Sequence, residues 1–168
     1  MDMLPNSLKS FHCPRWGELP ELSLYMDQVL LVLDKALSPF SADGDYSMTT
    51  ATMINNYVKQ KVIGPPVKKK YEREHVAYLI MIGILKRVLS LSEIRGLIDM
   101  LLKEYALPDA YDRFCAQLEN CIHNASGLTD YEGIAQRALR AALSALSNKL
   151  LLQQLLTEAS SKPGTVVE

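Results

Sequence analysis

A Gly64-Pro65-Pro66 step separates two stretches of helical periodicity, and it limits what the middle of this chain can be. Proline lacks the backbone N–H and fixes φ, so a helix reaching Gly64 has to end there and the following residues leave it extended. Before the break, Ile54, Tyr57 and Val58 stand at helical spacing, with Asn55, Asn56, Lys59 and Gln60 among them. After it, Val67-Lys68-Lys69-Lys70-Tyr71 is expected to run as a basic strand into a second helix opened by Glu72 or Arg73. Residues 62–63 and 67–70 are expected to pair round the break as a small two-stranded hairpin. Asparagine and lysine side chains on a short helix reach base edges and phosphates, so the segment before the break has the make-up of a recognition helix.

Charge agrees with that reading only when it is resolved along the chain. The 168 residues carry a formal net charge of −1. Residues 1–46 hold three basic and seven acidic side chains, 47–103 ten and four, and 104–168 five and eight. Positive charge is thus concentrated around the break, as a phosphate-binding surface requires. With 48% apolar residues the chain can bury one good core.

The remaining periodicity is helical. Pro5, Pro14 and Pro20 with Phe11, Trp16 and Leu19 predict an extended arm over residues 1–21 that lays aromatics on the body. Leu22, Met26, Val29, Leu33 and Leu37 predict an amphipathic helix ended by Pro39, followed by a linker around Asp43-Gly44-Asp45. From residue 73 to 89 the pattern is apolar nearly all round, which predicts a central helix covered on several sides. Ser90-x-x-Glu93 and Thr129-x-x-Glu132 are capping boxes, each opening a helix. Pro108 starts the helix between them, which Tyr111, Phe114, Leu118 and Ile122 line and residues 124–127 stop. The last helix, about residues 130–158, carries Leu139, Leu143, Leu146 and Leu150 at 4-3-4 steps, a spacing suited to a helix-pair seam.

The order of parts in the middle resembles the DNA-binding domain of MerR-type winged helix-turn-helix regulators. Thr52 to Tyr57 matches their recognition helix, Val62-Ile63-Gly64-Pro65 their turn, Lys68-Lys69-Lys70-Tyr71 their basic wing, and Ser90-Leu91-Ser92-Glu93-Ile94 the step between their following helices. Asn55-Asn56-Tyr57 stands where those regulators have Arg-Tyr-Tyr. Residues 19–100 also look like an uncharacterised bacterial family of unknown function. The resemblance implies an all-α fold with a small two-stranded wing over residues 22–105, a C-terminal helical dimerisation region over 106–158, and a frayed tail over 159–168. It further implies a homodimer that binds duplex DNA through Thr52, Asn55, Asn56, Tyr57, Lys59, Lys61, Lys68, Lys69, Lys70, Tyr71 and Arg73.

Other chemistries find little footing. The sequence carries no GxGxxG or Walker loop, and His12, His75 and His123 lack partners at helical spacing, so neither an enzyme nor a cofactor is expected. Cys115, Cys121 and His123 lack a fourth ligand and the CxxC spacing of structural zinc sites. Three cysteines at no familiar spacing fit free buried thiols in a reducing compartment. The longest apolar run, residues 76–85, is too short to span a bilayer, and no leader is evident at the N-terminus, so a cytoplasmic protein is expected. The function expected is a sequence-specific DNA-binding transcriptional regulator. The alternative is an all-helical interaction module that keeps the winged shape without reading DNA.

Overall fold

Arg73–Leu85 is apolar on almost every face, and the other elements are arranged to cover it. In the computed structural model, which describes residues 8, 10–41, 49–124 and 133–161 (without the side chains of 134–140 and 142), six α-helices follow one another. They are α1 (Met26–Leu37), α2 (Ala51–Lys59), α3 (Arg73–Leu85), α4 (Leu91–Glu104), α5 (Leu107–Asn124) and α6 (Ile134–Ser161). Single 3-10 turns stand at Trp16–Glu18 and Ser38–Phe40. Helices α1, α4 and α5 pack on α3, α2 lies against α1, and α6 lies on α4.

Val76, Ala77, Leu79, Ile80, Met81 and Ile82 are all buried along α3. Leu33 and Leu37 of α1, Ile54 of α2, Ile94 of α4 and Tyr111 of α5 close over them. Full burial of each large aliphatic side chain contributes about 1.5–3 kcal/mol. Helices α1 and α3 approach so closely that a Cβ on Gly83 would stand 2.6 Å from Leu37 Cδ1, which is why a glycine sits inside this helix. Tyr111 and Cys115 share one buried cluster with Ile94 and Ile98, so the core continues without a break from α4 into α5.

The expected arm does lie on the body over its described part. Phe11, Cys13 and Leu19 are buried, and Trp16 meets the Tyr111 ring edge-on. Polar bonds fasten it to α5. The Cys13 N–H donates to Glu119 Oε1 at 2.8 Å, Arg15 forks onto both Glu119 oxygens at 2.8 and 2.7 Å, and the Trp16 N–H donates to Asp112 at 2.7 Å. The Tyr111 hydroxyl donates to the Pro14 carbonyl at 2.8 Å.

The two-stranded wing does not form. Among the described residues there is no strand, only isolated bridges pairing Leu24 with Tyr71 and Val67 with Lys70. Residues 62 and 63 are instead turned back onto α2. The Lys61 N–H donates to Val58 O and the Val62 N–H to Tyr57 O, a Schellman closure with Lys61 in the left-handed region. Pro65 and Pro66 offer no N–H for a ladder. Val67 and Lys70 then exchange both backbone bonds with each other at 2.9 Å, which closes a tight turn too short to be a strand pair. The edge that takes Tyr71 belongs to Leu24, with both bonds at 2.8 Å.

Several expectations fall outside the described residues: the linker over 42–48, the stop over 125–127, the Thr129–Glu132 capping box and the tail from 162 onward. Helix α6 is continuous to Ser161, past the expected end at 158. No helix among the described residues is long and apolar enough to cross a membrane.

One carboxylate fastens α6 to the body. Glu93 closes the capping box of α4 by accepting from the Ser90 N–H at 2.8 Å, while Ser90 Oγ accepts from the Glu93 N–H. The same carboxylate accepts from Gln153 at 2.9 Å and Lys149 at 3.1 Å of α6. The Gln153 amide first, then the Ser90 N–H and Lys149, hold its pKa down at about 2. A depressed carboxylate stabilises the folded state fully above its ordinary value of 4.5, and that contribution is lost as pH falls toward 2. Amide hydrogen exchange should therefore show protection in the 149–156 stretch of α6 declining across that window while α3 stays protected. In Glu93→Gln the stretch should be less protected at neutral pH and lose this acid dependence.

Candidate nucleic-acid interface

Helix α2 begins at Thr50, whose hydroxyl accepts from the Met53 N–H at 3.2 Å, and it buries Ile54 and Tyr57. At 3.6 residues per turn, Thr52, Asn55, Asn56 and Lys59 fall within about 100° of one another on the opposite side. All four are exposed. The helix thus offers one polar face of a hydroxyl, two amides and an ammonium, and that face is set by the burial of the other.

The segment after α2 is held from below. The Glu72 N–H donates to His75 Nδ1 at 3.0 Å, and His75 Nε2 donates to the Pro65 carbonyl at 3.2 Å, so the imidazole ties the proline step to the first turn of α3. Tyr71 is buried and meets the His75 ring edge-on. Between these anchors Lys68 and Lys69 project at the tip of the Val67-to-Lys70 turn, both exposed.

The expected contact residues therefore divide into two groups. Thr52, Asn55, Asn56, Lys59, Lys61, Lys68 and Lys69 are exposed along residues 52–69. Tyr57 and Tyr71 are 5% and 3% exposed, their rings are part of the core, and burial raises both hydroxyl pKa values. Lys70 is half-buried with its ammonium 5.0 Å over the Tyr25 ring. Arg73 donates to the Pro20 carbonyl at 3.4 Å, lies 3.3 Å from Glu21 and stacks 5.8 Å from the Trp16 ring, so its guanidinium secures the end of the arm. The Leu24 and Tyr25 contacts carry no signal in the sequence, since they join residues 45 or more positions apart.

Backbone conformation marks three of the exposed lysines. Lys61, Lys68 and Lys69 have φ of 56°, 50° and 64°, and they are the positive-φ non-glycine residues of the described chain. A side chain in the left-handed region costs roughly 1–2 kcal/mol, and glycine or asparagine is the usual occupant. Among the described residues, none bonds or ion-pairs with the ammonium of Lys59, Lys61, Lys68 or Lys69. The fold therefore gains nothing from these ammoniums to offset the strain.

A family model described as a domain of unknown function (DUF1836) matches residues 14–114, more than half of the chain. The chain belongs to this family. The match runs from the arm into α5, so it takes in α2, the proline step and the lysine turn, while α6 lies beyond it. No curated protein and no solved structure matches the chain. The DUF1836 assignment bears out the expected membership in a family of unknown function and carries no MerR-like or DNA-binding description with it.

Relief of backbone strain is measurable apart from any ligand. Lys61→Gly and Lys69→Gly should each raise stability by about 0.5–1 kcal/mol, since the relieved strain exceeds the entropy that glycine adds to the unfolded chain. A urea midpoint that falls in either variant would show that the lysine side chain supports the fold.

Proposed function

We propose that this DUF1836 chain is a sequence-specific DNA-binding transcriptional regulator. The polar face of α2 enters the major groove, with Asn55, Asn56 and Lys59 directed at bases and Thr52 beside them. Lys61, Lys68 and Lys69 neutralise flanking phosphates. The observation that carries the reading is the set of three strained, unpartnered lysines in a stretch that holds ten basic and four acidic side chains. Strain retained where a neutral residue would fit better points to a use for the charge, and adjacent exposed cations beside an amide-bearing helix face suit a polyanion with readable edges.

Paired half-sites one helical turn apart require paired readers, so the regulator acts as a two-fold homodimer. Helix α6 supplies the seam. It faces α4 with Lys149, Leu152, Gln153 and Leu156, while Leu143, Leu146 and Leu150, about a quarter turn away, are 54–56% exposed. The side chain of Leu139, the first residue of the expected seam, is not among those described. Exposed leucines at three- and four-residue steps match a second copy of the same helix.

Each lysine on a phosphate contributes roughly 0.9 to the slope of log affinity against log salt. Lys68→Ala with Lys69→Ala should weaken binding to every duplex and flatten that slope by about 1.8. Asn56→Ala should instead lose about 1–3 kcal/mol on the preferred site alone, because asparagine pairs bidentately with adenine. If the wild-type chain is not retained on duplex DNA at low salt, the reading is wrong. For the seam, Leu146→Glu with Leu150→Glu should give a folded monomer by light scattering, whereas unfolding would assign the stripe to the monomer core.

A further inference from the structure

The seam between the arm and α5 holds a thiol pair that the DNA reading does not use. Cys13 on the arm and Cys115 on α5 are both 0% exposed. Cys115 Sγ donates to the Pro14 carbonyl at 3.7 Å, and this bond joins residues 101 positions apart. Glu119, one turn beyond Cys115, takes the Cys13 N–H, so the Cys13 backbone is pinned across the same face of α5. Each thiol is close enough to perturb the other, and the Arg15 guanidinium and the Tyr111 hydroxyl complete the surroundings.

We propose that Cys13 and Cys115 form a reversible disulfide site, oxidised by a hydroperoxide, that locks the arm covalently to α5. The proposal is independent of DNA binding. The surroundings divide the labour between the two sulfurs. The neighbouring Cys13 thiol, with the Tyr111 hydroxyl and Arg15, holds the Cys115 thiol below its ordinary value, while Cys115 and burial push Cys13 up. In the proposed site Cys115 acts as the nucleophile and Cys13 as the resolving thiol.

The chemistry balances with the peroxide as sole oxidant. When the arm lifts, the Cys115 thiolate attacks one peroxide oxygen, the S–O bond forms, the O–O bond breaks and hydroxide leaves, giving a sulfenic acid. Cys13 then attacks that sulfur, the S–S bond forms, and the Cys13 proton joins the departing sulfenic hydroxyl to leave as water. The proton that Cys115 gives up on becoming a thiolate neutralises the hydroxide of the first step. Two thiols lose two electrons and one peroxide becomes two waters. Cys121, exposed on the same helix, serves as an internal comparison, because ordinary accessibility would favour it.

The full-length chain is treated with hydrogen peroxide at neutral pH, blocked with a thiol alkylator and mapped by non-reducing peptide mass spectrometry, alongside Cys121→Ser, Cys13→Ser and Cys115→Ser. The expected product in wild type and in Cys121→Ser is one Cys13–Cys115 linked peptide, reversed by dithiothreitol. In Cys13→Ser a dimedone adduct should form on Cys115, at least tenfold faster than on Cys13 in Cys115→Ser. The wild-type map decides the matter even if a serine variant fails to fold. Oxidation confined to Cys121, cross-links between chains only, or no oxidation while a free thiol peptide is consumed would each overturn the site, and equal or reversed adduct rates would overturn the division of roles.

Discussion

A helix with no polar face has to be covered from every direction, and α3 places that demand on the whole chain. Water cannot satisfy the surface of Val76 through Ile84, so α1, α4 and α5 each bring an apolar stripe to it. The cover is close enough to exclude a single methyl group at Gly83, where Leu37 already fills the space. Because α3 starts at Arg73, its first turn also fixes what precedes it. His75 reaches back to Pro65, Tyr71 pairs with Leu24, and the lysine turn is left with no route except outward. The outward direction of the lysine turn follows from how the buried helix begins.

The helices were legible in the sequence because burial imposes a period, and a period survives in the order of residues. Leu33 and Leu37, Ile94 and Ile98, and the Ser90-to-Glu93 box all stand where their spacing placed them. The hairpin failed for the opposite reason. Val62 and Ile63 have the side chains of a strand, but their amides were decided by Lys61, which takes a left-handed conformation that its type disfavours. No propensity argument assigns that position to lysine. Tyr57 and Tyr71 illustrate the same limit, since a tyrosine beside basic residues suits a phosphate contact or a core equally well, and only the tertiary cover decided for the core. The bonds between Arg15 and Glu119 join residues 104 positions apart, beyond the reach of any local pattern.

The polar ties share a form. Glu119 gathers the arm, Glu93 gathers α6, and each carboxylate is met by a backbone N–H together with a cationic side chain. Such charge-assisted bonds are directional, so they fix the angle at which a peripheral segment leaves the core, whereas apolar contacts alone leave it free to slide. Their weakness is acid, because protonation removes acceptors that the N–H groups cannot replace. The arm and α6 thus carry such ties in addition to their apolar contacts, which for the arm are the buried Phe11, Cys13 and Leu19.

In helix α6 a polar clamp takes the place of a closely packed face, and apolar surface is left over. Its contact with α4 uses Lys149 and Gln153 around one carboxylate, with Leu152 and Leu156 beside them. Leu143, Leu146, Leu150, Leu151 and Leu155 remain outside. A 28-residue helix that turns more leucine toward solvent than toward its own core is not explained by the core. If the helix were only a lid on α4, exchanging the outer leucines for polar residues would leave every described contact intact and improve solubility. Their three- and four-residue spacing is that of a helix ridge, and the ammoniums of Lys59, Lys61, Lys68 and Lys69 likewise meet no partner among the described residues. Both surplus features lie on surfaces that the described residues leave uncovered, one apolar and one cationic. Pairing along the first would present two copies of the second to one extended polyanion.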